Sequence, residues 1–249
     1  MEILKTGFLI NNINKVLSVD EVEYLKELST IFPYVEDNKN EILKGRLSTN
    51  NYTDKSEDDT YSYDEMQLVH KYLTENNLHF SQKWSFVNDV ELFKAANKDV
   101  RYAIQMGQQF HNISIQILND AYPELEIKET DVRSRGGLTY YEDGDFIEMH
   151  ADGVNETRLC VILLYLNENW NDTFGGELVL ENENEKQIAS VPPKFGDYVI
   201  LDFTQNNVRH AVNKIKNGFK RFTYAHFVEM KEDTKSTTWN KFIEIKNIK

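Results

Sequence analysis

The sequence predicts an α+β chain. A mainly helical part, residues 1–135, precedes a strand-rich part, residues 136–230, and a C-terminal extension, residues 231–249. In the first part apolar residues recur every three or four positions between polar ones, the period of a helix with one buried face. From residue 136 the chain changes to short apolar runs punctuated by Gly, Asn and Asp, the pattern of an antiparallel sandwich or barrel. No internal repeat or linker interrupts the 249 residues, and a hydrophobic content of 40% suffices for one core, so residues 1–249 read as a single domain.

Taken in order, Ser18-Val-Asp-Glu21 has the form of a capping box, in which the Ser18 hydroxyl and the Glu21 carboxylate each satisfy the other residue's amide. Val22, Leu25 and Leu28 then mark the buried stripe of the helix it opens. Residues 49–64 lack any apolar period and read as a polar surface loop. A second long helix covers Val100–Ile117, with Ile104, Phe110, Ile113 and Ile117 available for packing and Pro123 limiting its extension. Strands are expected at residues 138–141, 146–152, 159–166, 177–180, 198–203, 208–212 and 220–230. Turn signals fall between them at Asp143-Gly144, Gly175-Gly176, Gly196-Asp197 and Asn217-Gly218.

Composition narrows the function classes. With 41 acidic against 28 basic side chains the net charge is −13, which argues against nucleic acid, since binding a phosphate backbone needs clustered Lys and Arg. The Lys-rich stretch 214–221 is the one basic concentration and reads as a solvated hairpin. The single cysteine, Cys160, excludes an internal disulfide and sits in the apolar run Leu159–Leu166 as a small hydrophobe. The N-terminus lacks the basic start and apolar middle of a signal peptide, and no run approaches the roughly 18 apolar residues that span a bilayer. A soluble, cytoplasmic chain is expected.

The chemistry concentrates in His150-Ala151-Asp152. On a strand, residues two apart share a face, so the imidazole and carboxylate could ligate one ion together. A His-x-Asp triplet arises readily by chance, and a surface hydrogen bond between the two side chains would also explain it. His210, at the start of a strand after Gly196–Phe203, adds a second imidazole. Two imidazoles and one carboxylate suit a mononuclear iron(II) site, since they can occupy one face of an octahedron and leave three positions open. Lys220 and Arg221 lie on opposite sides of one strand, so only one can enter a barrel, and chemistry alone admits either. His70, His79 and His111 have no spaced carboxylate or cysteine partner and read as structural or surface residues.

Several of these pieces together resemble the iron(II)- and 2-oxoglutarate-dependent dioxygenases, most closely their prolyl 4-hydroxylase-like branch. They are Tyr141-Glu-Asp-Gly144 leading to His150-Ala-Asp152, Arg158–Asn167, Gly175-Gly-Glu-Leu178, Pro193-Lys-Phe-Gly-Asp197, and His210-Ala-Val212 with Gly218-Phe-Lys220. The resemblance implies a double-stranded β-helix (jelly-roll, cupin-like) core with the N-terminal helices packed on it. It implies that His150, Asp152 and His210 bind Fe(II), and that Lys220, ten positions after His210, pairs with the 5-carboxylate of 2-oxoglutarate, the Gly-x-Lys spacing favouring it over Arg221. Tyr141 matches a tyrosine that lines the co-substrate pocket, although its ring could equally pack in the barrel.

The implied reaction couples decarboxylation of 2-oxoglutarate to succinate with O2-dependent hydroxylation of a C–H bond, with ascorbate as a compatible reductant. Related halogenases replace the carboxylate ligand with a small residue, so Asp152 argues for hydroxylation. Many peptidyl-prolyl hydroxylases carry tryptophans where this chain has Arg221 and His226, and an aromatic where it has Ile147. Those departures leave a free amino acid or other small metabolite beside peptidyl proline as the substrate, with His226 a candidate contact to its amino or carboxylate group. Two other readings stay open: a nonenzymatic metal-binding sensor or interaction protein on the same fold, and a zinc hydrolase, because the same ligands also suit zinc.

Overall fold

The computed structural model describes residues 3–23, 83–85, 100–152, 156–204 and 208–247. In chain order the elements are α1 (Ile3–Thr6), β1 (Phe8–Asn12), β2 (Lys83–Ser85), α2 (Val100–Ala121), β3 (Val132–Tyr141), β4 (Ile147–His150), β5 (Arg158–Tyr165), β6 (Leu178–Glu181), β7 (Gln187–Val191), β8 (Asp197–Asp202), β9 (Arg209–Val212), β10 (Arg221–Met230) and α3 (Thr237–Asn247). The expected loop 49–64, His70 and His79 lie outside the described residues.

The strands form two antiparallel sheets. The larger has the order β1-β8-β5-β10-β3-β2 and the smaller β4-β9-β6-β7. The N-terminal part is therefore not only helical, since β1 and β2 form the two edges of the larger sheet. Strand β1 escapes a reading of periodicity because Phe8-Leu-Ile-Asn-Asn is short and unalternating, while β7 alternates too weakly, with only Val191 fully buried.

Two apolar cores sit on opposite faces of the larger sheet. One lies between the sheets and joins Val161, Tyr165, Val199 and Leu201 to Leu178, Leu180, Val191 and Val212 of the smaller sheet. The other joins α2 and α3 to the outer face, where Phe110, Ile113, Ile117 and Leu118 meet Cys160, Ile162, Ile200, Tyr224 and Val228. The three- and four-residue spacing of that α2 stripe makes it one continuous ridge, and Phe110 stacks on Tyr224 at 4.1 Å between ring centroids. Truncating a fully buried member such as Ile117 to alanine removes apolar contact and leaves a void, a cost of about 2–5 kcal/mol. The helix ends at Ala121, two residues before Pro123.

Ser18 and Glu21 form the capping box. The Ser18 amide donates to the Glu21 carboxylate at 2.8 Å, and the Glu21 amide to the Ser18 hydroxyl at 3.4 Å. The Ser18 hydroxyl also donates to the Glu21 carboxylate at 2.7 Å, and the amide and hydroxyl of Ser18 together stabilise the ionised Glu21, whose pKa is lowered. Cys160 is buried and unbridged, and among the described residues no helix is long and apolar enough to cross a membrane.

Candidate metal centre and co-substrate pocket

Strands β4 and β9 pair so that His150 lies opposite His210. An irregularity intervenes in β4: Ile147 faces Val212, yet His150, three residues on, faces a residue only two back from Val212. Strict alternation would turn Ile147 and His150 to opposite faces, and the bulge returns His150 to the side of Ile147, between the sheets. Asp152 stands just beyond the end of β4 and approaches from irregular backbone, where a shared strand face was expected.

The three side chains converge. One ligand atom from each of His150, Asp152 and His210 lies within 4.8 Å of the other two, the one such group of His, Cys, Asp or Glu found among the described residues. Asp152 Oδ1 is 3.8 Å from His150 Nε2, and its Oδ2 is 3.7 Å from His210 Nε2. Neighbouring ligand atoms on one ion at about 2.1 Å stand roughly 3 Å apart, so this spacing is open enough for an ion and too long for direct hydrogen bonds. The other ring nitrogens meet carbonyls, His150 Nδ1 with Glu148 O at 2.8 Å and His210 Nδ1 with Val208 O at 3.4 Å. A ring that donates from Nδ1 carries its lone pair on Nε2, the atom that faces Asp152. Burial lowers the His210 pKa to about 4, against the opposing pull of Asp152, and so keeps this imidazole neutral, the form a metal takes. The donor set therefore fits a divalent transition metal such as Fe(II).

At the other end of β10 the structure corrects the expected basic residue. Lys220 precedes the first residue of the strand and is exposed, whereas Arg221 is buried on the face between the sheets. Only one of the pair enters, as alternation requires, and the strand begins one residue later than a Gly-x-Lys spacing suggests. A planar guanidinium also suits this position better than an ammonium. Its Nε donates to Gly176 O at 2.8 Å and its Nη1 to Thr223 Oγ1 at 2.7 Å, while the rings of Tyr141 and Tyr165 flank it at 5.2 and 5.0 Å. Nη2 makes no hydrogen bond to a described residue.

Gly176 lets the backbone approach. Its φ is +80°, and a Cβ there would stand 2.6 Å from Ile215 Cδ1 and 3.1 Å from Arg221 Cδ. Tyr141 is buried opposite Arg221 in the β3–β10 register, on the same inner face. Tyr165 was not singled out in the sequence, where it reads as one more apolar member of Leu159–Leu166. Its hydroxyl is buried and bonded to no described residue, and burial pushes its pKa up to about 12, with the Arg221 charge pulling the other way. The signal that could have found it is β5 parity with Val161, since both face the inner core.

His226 is also corrected. It shares parity with Lys220, but even-numbered residues of β10 face α2 and lie outside the inter-sheet space. There His226 is buried, meets the Tyr224 hydroxyl at 2.5 Å through Nδ1, and has His111 6.5 Å away, ring to ring. Its pKa falls to about 3, by burial first and by His111 second, so it is a neutral structural group and not a substrate contact from this face. His111 itself lies beside Glu129, 3.6 Å from its carboxylate.

Comparison with known proteins agrees with this geometry. Residues 136–229 match the model of the 2OG-Fe(II) oxygenase superfamily, and no curated protein matches the chain. Among solved structures, a prolyl-4-hydroxylase from Pseudomonas putida is 15% identical, with a TM-score of 0.50, covering 93% of this chain and 97% of that one. A prolyl hydroxylase from Trichoplax adhaerens, solved with a hypoxia-inducible-factor peptide fragment, is 17% identical, with a TM-score of 0.49, covering 92% and 86%. The match over residues 136–229 spans both the His-Asp-His triad and the Arg221 pocket, so this part of the chain is similar to the 2OG-Fe(II) oxygenases, enzymes whose cofactors are Fe(II), 2-oxoglutarate and dioxygen.

Proposed function

We propose that the protein is an oxygenase that hydroxylates a C–H bond of an amino-acid unit, on a double-stranded β-helix core, with iron held by His150, Asp152 and His210 and 2-oxoglutarate held at its far end by Arg221. The observation that carries the reading is that the inter-sheet space has the ligand triad toward one end and the buried Arg221 guanidinium at the other. Bound iron would chelate 2-oxoglutarate and activate dioxygen, with decarboxylation to succinate. Every other contribution comes from this chain's own residues.

The carbonyls of Glu148 and Val208 orient the two imidazoles, and the burial of His210 keeps protons from competing for its nitrogen. Arg221 supplies a fixed positive charge away from water, where a carboxylate partner is bound more strongly than at the surface. Tyr165 stays protonated across the working pH range and can donate to the same carboxylate, and Tyr141 closes the pocket on the β3 side. Asp152 fills the ligand position that related halogenases leave for chloride, which favours hydroxylation.

The test is anaerobic addition of Fe(II) and 2-oxoglutarate, followed by admission of air and mass spectrometry of succinate and products. A visible charge-transfer band and a product 16 mass units heavier would support the reading. Absence of the band in correctly folded protein would refute it and favour the zinc hydrolase, which gives none.

A further inference from the structure

The side chain of Asn167 stands where three segments meet at the Arg221 end of the inter-sheet space. The antiparallel ladder between β5 and β10 ends with Tyr165 opposite Thr223, and beyond it the Leu166 amide donates to Phe222 O at 3.2 Å. A continued ladder would return a bond from the Phe222 amide to the Leu166 carbonyl. The Phe222 amide donates instead to Asn167 Oδ1 at 2.6 Å, and Asn167 Nδ2 donates to Phe222 O at 3.0 Å. A side chain thus takes over from the backbone and pairs both main-chain groups of the residue that follows Arg221.

The third segment is the turn between β7 and β8. Asn167 Nδ2 also donates to Pro193 O at 2.8 Å, and the Phe195 amide donates to Asn167 O at 2.9 Å. The Gly196 amide bonds Tyr165 O at 3.0 Å, so this turn is docked on the end of β5. Asn167 is buried, and a short carboxamide is what the place requires, with one oxygen to accept from an amide and one nitrogen to donate to two carbonyls. Phe222 packs against the core under α2, and alternation then sends Arg221 to the inter-sheet face.

From this we infer that Asn167 is a positioning residue for the co-substrate: it fixes the backbone at the entrance of β10 and so presents the Arg221 guanidinium to the far carboxylate of 2-oxoglutarate. The inference rests on the proposed function above and adds to it a residue that acts through Arg221. Without the carboxamide the Phe222 amide loses its partner and the first residues of β10 are free to fray. The guanidinium would then occupy a range of positions, and a charge-assisted pair weakens as its geometry is lost.

The experiment is a double-mutant cycle: anaerobic titration of Fe(II)-loaded protein with 2-oxoglutarate, read from the charge-transfer band, in wild type, Asn167→Ala, Asn167→Ser, Arg221→Ala and the two Asn167 changes combined with Arg221→Ala. Iron content and thermal unfolding are recorded for each protein. Asn167→Ala is expected to raise the Kd roughly fivefold or more, with iron content unchanged, and Asn167→Ser to fall between it and wild type. In the Arg221→Ala background the same changes are expected to shift the Kd by less than about twofold, because their route through Arg221 is gone. A merely structural role would lower Tm and shift the Kd by the same factor in both backgrounds, and that result overturns the inference. So does a Kd within about twofold of wild type in both Asn167 variants. If the alanine protein does not fold, the serine variant carries the cycle. An absent band in wild type, or an Arg221→Ala protein with wild-type Kd, is the separate failure, that of the metal and co-substrate reading itself.

Discussion

The two faces of β10 bury polar groups in opposite ways. On the α2 face Tyr224 and His226 bond each other, Phe110 stacks on Tyr224, and the pair is enclosed by the helix. On the inter-sheet face Arg221 bonds Gly176 and Thr223, while its Nη2 bonds no described residue and the buried Tyr165 ring lies 5.0 Å away. A buried polar pair that closes on itself rigidifies a core, whereas buried donors left open in one space cost stability unless something fills them. The same strand thus carries a structural face and the proposed binding face, separated only by residue parity.

Substitutions on the two faces should separate accordingly. The largest effect is expected at the triad: Asp152→Ala should weaken iron binding by more than about a hundredfold and abolish turnover, because it removes a ligand and not merely its support, as metal analysis after dialysis would show. An intermediate effect is expected from Gly176→Ala. A methyl group in that left-handed position meets Ile215 and pushes on Arg221, so 2-oxoglutarate should bind several-fold more weakly in a titration while metal content stays normal.

The smallest effect on binding belongs to the α2 face. His226→Asn should leave 2-oxoglutarate affinity unchanged and alter only the pH dependence of stability. The folded-state pKa of His226 is depressed to about 3 from an ordinary 6.5, so the unfolded chain binds more protons between these values, and stability present above pH 6.5 is lost as pH falls toward 3. His210 acts with the same sign in both proteins, so the difference in Tm slope isolates His226. A variant that loses Tm as steeply on acidification as wild type would contradict this assignment.

Much of this was legible in the sequence, and the reasons for the rest are specific. Residue types and chain order bring out His150, Asp152 and His210, because few arrangements offer two imidazoles on paired strands with a carboxylate two residues beyond one of them. The helical stripe of α2 follows from the spacing of Phe110, Ile113 and Ile117. What alternation cannot reveal is where it breaks. The bulge in β4 turns His150 inward, and the one-residue offset at the start of β10 buries Arg221 in place of Lys220. Face assignment is a second gap, because parity groups His226 with Lys220 but cannot say that their side of a sheet buried on both faces is the one under a helix.

The central claim is that Arg221, and not Lys220, grips the far end of the co-substrate. The direct measurement is anaerobic titration of Fe(II)-loaded protein with 2-oxoglutarate, read from the charge-transfer band, in wild type, Arg221→Ala, Arg221→Lys and Lys220→Ala. A charge-assisted pair of about 1.5–3 kcal/mol corresponds to a roughly ten- to hundredfold higher Kd in Arg221→Ala, with partial recovery in Arg221→Lys and a Kd within about twofold of wild type in Lys220→Ala. A large loss in Lys220→Ala with Arg221→Ala unaffected would contradict it.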